Sequence, residues 1–231
     1  MNSEHSYTTN MKSIDGHSFV CSWSGGKDSC LALYHAIQNG GKPEYLFTMM
    51  TEGGQRSRSH GLHLSMFQEQ SRLLGISLRT AVSSWEGYEE VFLTELKEFK
   101  EQGIEYVVFG DIDLEEHLQW CERVCAIADL QPYHPLWKRE RQELLHELIE
   151  LGFEATIIAI KEGELSRSFL GKKISHDLVQ ELSGAGIDVS GEAGEYHTVV
   201  TGGPIFSSPI DILLGTQVLR GGYCFLDCSF G

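Results

Sequence analysis

No apolar run in this chain approaches the roughly 18 consecutive residues that a membrane-spanning helix needs. Positive charge is also short. The 18 Lys and Arg stand against 33 Asp and Glu, a formal net charge of −15. A surface so balanced repels bare nucleic acid and anionic membrane, because phosphate backbones are held by Lys and Arg. It still leaves room for an anion in a locally built pocket, where backbone N–H groups and one or two lysines suffice. Six cysteines in 231 residues are too few for a disulfide scaffold. Residues 1–16 are polar and hold no apolar export segment, so a flexible arm is expected over 1–17. The same absence places the chain in the cytoplasm, with reduced thiols, as an expectation. No internal repeat and no low-complexity tract interrupts the sequence.

What is present is an ordinary globular composition, 41% apolar and 22% charged, ordered as alternating β-branched runs and amphipathic stretches. Strands are expected over 18–23, 44–50, 77–82 and 104–109. Helices are expected over 27–39, 60–74, 85–102 and 114–128, with Gly40-Gly41 and Gly75 as stops. Strand–helix units at this spacing imply an α/β fold, a Rossmann-like parallel sheet with helices on both faces. Pro132 and Pro135 suggest a turn-rich connector, so a first domain is drawn over 18–131 and a smaller α+β subdomain over 132–231. The latter should hold a helix over 139–151, a strand over 155–160 and a short helix over 175–182. Beyond Gly184 the dense glycines suggest short strands and turns.

The clearest chemistry lies in Ser24-Gly25-Gly26-Lys27-Asp28-Ser29, directly after the first strand and opening a helix. Glycines let backbone approach a ligand closely, and a helix N-terminus offers free N–H groups and partial positive charge. Lys27 adds a full charge, and Ser24 and Ser29 add hydroxyls. The hexad is neither G-x-x-x-x-G-K-[ST] nor G-x-G-x-x-G. It matches the pyrophosphate loop of enzymes that split ATP into AMP and pyrophosphate. Asp28, a carboxylate inside an anion site, reads as a Mg²⁺ ligand, since Mg²⁺ takes few carboxylates plus phosphate oxygens. A helix-start carboxylate favoured by the dipole is the alternative.

Four further segments carry candidate groups. Gly110-Asp111-Ile112-Asp113 follows the fourth strand, where open parallel sheets bind ligands. In Glu115-Glu116-His117-Leu-Gln-Trp120-Cys121-Glu122-Arg123-Val-Cys125, helical spacing aligns His117 with Cys121 and Cys121 with Cys125. Cys224 and Cys228 repeat that interval; all four are read as buried small hydrophobes rather than zinc ligands, which usually come as closer pairs in a complete set. Gly191-Glu192-Ala193-Gly194-Glu195-Tyr196-His197-Thr198 makes a tight loop presenting two carboxylates, able to position an amine, ammonia or a cation. It could equally be a polar turn before a strand. His60-Gly61-Leu62-His63 opens the second helix, where a neutral His60 could donate to phosphate or adenine; His63 reads as a cap or surface residue.

Together these segments resemble the diphthine–ammonia ligase family of ATP pyrophosphatases, over nearly the whole chain after the arm. The resemblance rests on the hexad, His60-Gly-Leu-His63, Gly110-Asp111-Ile112, Glu122-x-x-Cys125 and Gly191-Glu-x-Gly-Glu-Tyr-His-Thr198. It implies an adenine-nucleotide-alpha-hydrolase-like ATP domain followed by a substrate domain. It also implies an ATP-dependent ligase. A carboxylate attacks the α phosphorus to give an acyl-adenylate and pyrophosphate, and ammonia or an amine then displaces AMP. ATP would be held by Ser24, Gly25, Gly26, Lys27, Asp28, Ser29, His60, Gly110 and Asp111, with Mg²⁺ on Asp28. Catalysis would fall to Lys27, Asp28, Glu192 and Glu195, and the acceptor side to His117, Arg123, Tyr196 and His197. Gly110-Asp111-Ile112 and Glu116-His117-Leu-Gln-Trp120 differ from the diphthamide-forming pattern and look more like the family's bacterial branch, which is linked to cobalamin salvage. No glutaminase nucleophile is evident, so free ammonia or a substrate amine is expected. A tRNA-modifying pyrophosphatase and a non-catalytic nucleotide sensor stay open as alternatives, as does a homodimer.

Overall fold

Side chains of a strand alternate between faces, and in β1 (Ser18–Ser22) both faces are buried. That is the signature of a central strand in a covered parallel sheet. In a computed structural model that describes residues 13–231, β1 pairs in parallel with β2 (Lys42–Met50) and β4 (Tyr106–Val108). β3 (Ser77–Val82) and β5 (Gln131–Tyr133) complete the order β3-β2-β1-β4-β5. Phe19 and Cys21 pack with Leu31 and Leu33 of α1 (Lys27–Gln38) and with Met66 and Phe67 of α2 (Leu64–Leu74). Val20 packs on the other face, with Phe92, Leu96 and Phe99 of α3 (Tyr88–Glu101) and Val124 and Cys125 of α4 (Glu115–Ile127). The expected doubly covered parallel sheet is therefore present.

The strand order reverses between β1 and β4. Loops leaving their carboxyl ends part there and open a crevice. The first loop is the glycine-lysine hexad and the second is Gly110-Asp111. A Cβ on Gly110 would lie 2.8 Å from Asp28 C and Ser29 N, so the end of β4 presses on the first turn of α1. Gly110 thus serves backbone packing between the two loops.

The second sheet is antiparallel, ordered β7-β6-β9-β8 from β6 (Glu154–Lys161), β7 (Tyr196–Gly202), β8 (Ile212–Arg220) and β9 (Tyr223–Phe230). α5 (Arg141–Glu150) and α6 (His176–Gly184) pack beside it. Ile157, Val199 and Val200 share one continuous core with α1 and α2, so the second sheet rests on that face of the first.

Several expectations change. Residues 1–12 of the expected arm lie outside the described residues; within 13–17 the chain is anchored at two points, because Ile14 is buried and Ser13 O accepts from the Tyr106 hydroxyl, while Ser13, Asp15 and Gly16 are exposed. Pro132 lies in β5 rather than in a connector. A strand edge has no ladder partner on one side, and there a missing N–H is tolerated. The parallel sheet therefore runs to Tyr133. α2 starts at Leu64, with His63 as its N-cap accepting from Ser65 N, so His60 and Gly61 belong to a loop. The glycine-dense tail forms a long hairpin, because Gly221 and Gly222 at positive φ supply its turn.

Gly110→Ala should destabilise the fold by about 2 kcal/mol, since the atoms in its way are backbone rather than a mobile side chain. Urea unfolding beside wild type reads this; an unchanged midpoint would show that β4 and α1 can separate freely.

Candidate active site

The hexad is shaped from below. Gly25 has φ +74°, and a Cβ there would meet Gln70 Oε1 at 2.8 Å and the Phe67 ring at 3.0 Å. A Cβ on Gly26 would fall 2.4 Å from the His60 ring. Ser24 Oγ and Ser29 Oγ are 3.0 Å apart, and Ser29 Oγ also donates to Gly26 O. The Lys27 amide donates to Thr198 Oγ1 at 3.0 Å. The next two amides of that first turn, Asp28 and Ser29, have no acceptor among the described residues. They are the open donors expected of an anion cradle. The Lys27 side chain is buried, its Nζ 2.6 Å from Asp28 Oδ2 and 5.6 Å from the centre of the Tyr196 ring.

β7 closes the cradle. Val200 N donates to Gly25 O at 2.9 Å, and Thr198 O faces His60 Nδ1 at 2.9 Å. Buried Gln70 spans the joint. Its Nε2 donates to Gly25 O and Val200 O, and its Oε1 accepts from Trp23 Nε1 at 2.9 Å. Since a carbonyl only accepts, His60 carries its proton on Nδ1. Burial, reinforced by Lys27 and opposed by the Thr198 bond, lowers its pKa to about 4. His60 is therefore neutral, as expected, but through burial rather than a helix dipole, and its Nε2 is an acceptor rather than a donor. His197 stacks on it at 4.6 Å and on Tyr223 at 5.4 Å, and burial lowers its pKa too.

Across the crevice stands the Glu192 loop. Asp188 accepts from the amides of Ser190 and Glu192, and Arg141 of α5 bridges Asp188 to Asp113. Asp113 is thus a clamp point between the two loops. Glu192 Oε1 accepts from Ile112 N at 3.2 Å. Burial raises the Glu192 pKa to about 7. Asp28 and, more weakly, Asp111 push the same way, against the Ile112 bond and Lys27. His117 Nδ1 lies 3.2 Å from Asp111 Oδ1, which raises the imidazole's pKa. Cys121 Sγ contacts the other Asp111 oxygen at 3.7 Å. Tyr196 is buried, its hydroxyl bound to Val189 O. Glu195 Oε2 is buried with no hydrogen-bond partner. Arg123 lies apart, paired with Glu89 of α3 at 2.6 Å. Among the described residues, no three His, Cys, Asp or Glu side chains form a metal-binding group, and the cysteines are free.

Beside Ser24 lies a cavity of about 210 Å³ at the carboxyl ends of β1 and β2. Trp23, Phe47, Thr48, Arg58, Trp85 and Tyr88 are among its walls. The Arg58 guanidinium covers the Trp85 ring at 5.4 Å. An apolar slot opening onto an anion cradle suits an aromatic base joined to phosphates. The sequence reading missed this slot, and it missed Gln70, Arg141 and the Thr198 hydroxyl. Gln70 alone left a legible trace. It occupies the apolar face of α2 with Met66, Phe67 and Leu73, where a polar residue needs buried partners.

Fold and site together define a nucleotide-binding α/β protein with a pyrophosphate-type loop. Family models describing the diphthamide synthase N-terminal and C-terminal domains match residues 17–132 and 140–228, and the chain belongs to the diphthamide synthase family. Relatives named diphthine–ammonia ligase from Rattus norvegicus and Homo sapiens are 29% and 25% identical to it, each over 90% of this chain and 87% of their own. A solved structure described as a predicted subunit of tRNA methyltransferase from Methanocaldococcus jannaschii aligns with a TM-score of 0.45 and 16% identity. It covers 80% of this chain and 97% of its own, and adds nothing to the topology already described. Among the described residues no helix is long and apolar enough to cross a membrane.

Two outcomes follow from the geometry. Gln70→Leu strands Val200 O and Trp23 Nε1 and leaves Gly25 O with Val200 N alone, and should lower stability by about 3 kcal/mol in urea unfolding. Glu192 binds its proton more tightly folded than unfolded, so it withdraws stability as pH rises from about 4.5 to about 7. Glu192→Gln should therefore gain on wild type across that window, by about 2 kcal/mol after solvent screening, and hold the gain above it. A difference independent of pH would mean that Glu192 ionises normally.

Proposed function

We propose that this chain is an ATP-dependent ligase of the ATP pyrophosphatase type, which activates a carboxylate as its acyl-adenylate and converts it to an amide with ammonia, releasing AMP and pyrophosphate. The observation that carries this reading is the opposition of two unlike groups across one crevice. On one wall are the open amides of Asp28 and Ser29 with Lys27. On the other is Glu192, a carboxyl that ionises near neutrality. A leaving pyrophosphate needs the first and an incoming ammonia the second.

The base of ATP would occupy the slot between Trp23, Phe47 and Trp85, its β and γ phosphates the loop at Ser24–Gly26 and the first turn of α1. Donors fixed in place before the reaction stabilise charge developing on the leaving group without reorganising, which is usually the largest catalytic contribution. Asp28, partly exposed beside the phosphates, fits the single carboxylate that Mg²⁺ takes when phosphate oxygens supply other ligands. When bound, the ion would offset negative charge among Asp28, Asp111 and the phosphates. The acceptor carboxylate attacks the α phosphorus and pyrophosphate departs. Ammonia at neutral pH is mostly ammonium. Glu192, ionising at about 7, can take its proton. The freed amine then attacks the acyl carbon and AMP leaves. Glu195 would help hold the amine, and Asp111 with His117 would face the acceptor.

The relatives' names supply diphthine and ammonia as the first acceptor and nitrogen source to test. A tRNA-modifying role is less favoured by the charge of −15, and a sensor has no use for a carboxyl tuned to neutrality. ATP–pyrophosphate exchange with Mg²⁺, across diphthine-bearing elongation factor and cobalamin-pathway acids, tests the reading. One acceptor should support exchange, and Lys27→Ala and Asp28→Ala should each reduce it at least a hundredfold, about 3 kcal/mol of transition-state stabilisation. Undiminished exchange in both variants would sink it.

A further inference from the structure

The second sheet has two edges with opposite fates. β7 is covered, because Thr198 and Val200 bond to the hexad. β8, at the other edge, carries nothing on its outer side among the described residues. It is nine residues long, and every residue after Ile212 is exposed. Leu213 is 60%, Val218 51% and Leu219 59% exposed. Edge strands are usually blunted by Lys, Pro or inward charge, since their unpaired N–H and C=O groups template further pairing. β8 has no Lys, no Pro and no inward charge; its one irregularity lies between Leu214 and Gln217, and its single charge, Arg220, sits at one end.

The register within the hairpin shows what this edge fits. Ile212, Leu214, Gln217 and Leu219 lie opposite Phe230, Cys228, Leu226 and Cys224, alternate residues of β9, so they share one face. Leu213, Val218 and Arg220 lie opposite Ser229, Phe225 and Tyr223, and share the other. The irregularity between Leu214 and Gln217 resets the phase at the strand's middle. Consequently, if a second β8 runs antiparallel beside the first about an axis through Gly215-Thr216, Ile212 falls opposite Leu219 and Leu213 opposite Val218. Asp211, just before the strand, falls opposite Arg220. Each opposed pair shares a face, and the same pairs recur on the other side of the axis. The strand is complementary to itself, in apolar side chains and in charge.

We infer that the outer edge of β8 is a dimer interface, and that its occupant is β8 of a second copy of this chain, paired antiparallel to join two four-stranded sheets into one of eight. An isologous interface of this kind needs one surface that matches itself under a two-fold, and this register supplies it. Opposed charges across strands add to pairing, and like charges weaken it. A different protein partner would have no need of the match between the strand's two halves.

Sedimentation velocity on the full chain, from about 1 to about 100 µM, tests this. Wild type should sediment as a dimer. Leu219→Lys should shift it to monomer while the circular dichroism spectrum stays unchanged. Asp211→Arg and Arg220→Asp, both at exposed positions and safe for folding, should each weaken the dimer about tenfold. Combining the two exchanges should restore it, because each arginine again meets an aspartate. A monomer throughout the range overturns the inference and leaves the edge to another partner. A dimer indifferent to all these variants also overturns it, by placing the contact elsewhere.

Discussion

The bond between the Lys27 amide and Thr198 Oγ1 joins residues 171 positions apart, and the site is organised around it. A glycine loop before a helix is floppy by itself, because glycine gives up more backbone freedom on ordering than other residues. Here β7 lies against the loop and converts it into a fixed surface. Thr198 takes the first amide of the helix, and Val200 takes Gly25 O. Gln70 satisfies both chains from beneath. Two amides, those of Asp28 and Ser29, are left without an acceptor among the described residues. The joint thus does two tasks, ordering the cradle and docking the second sheet on the first.

The same economy explains the charges. Lys27 is buried but not alone, with Asp28 at 2.6 Å and the Tyr196 ring beside it. Its Nζ therefore has an ion-pair partner and an aromatic face within the protein. Glu192 is the counterpart. Arg141 clamps its loop through Asp188 and Asp113, bringing the carboxyl toward Asp28 and Asp111. Burial and those neighbours make its ionised form costly, and a carboxyl so placed exchanges protons near neutral pH. Electrostatic opposition in this crevice therefore depends on contacts between the two sheets rather than on any one segment.

The histidines show where sequence reasoning reaches its limit. His60 is neutral, but not because of a helix dipole. Its helix begins four residues later, and burial under β7 does what the dipole was expected to do. The tautomer depends on Thr198 O, a backbone atom no side-chain pattern could reveal. Arg123 illustrates the reverse. Its place on α4 was legible, but its partner Glu89 sits on another helix. The aromatic slot was invisible because Trp23, Phe47 and Trp85 come from three segments, each ordinary alone.

What the sequence determined by itself was local and periodic: the strand–helix alternation, the hexad at a strand–helix junction, the glycine stops and the two-part order. These follow from side-chain spacing and backbone freedom within a few residues, where 3.6 and 2.0 periods act directly. The tertiary structure alone decided which atoms of the hexad stay open, which tautomer His60 holds and where Glu192 ionises. It also made Pro132 an edge strand and left β8 unpartnered. Each of these depends on desolvation or on a hydrogen bond from a distant segment, and both exist only once the two sheets have met.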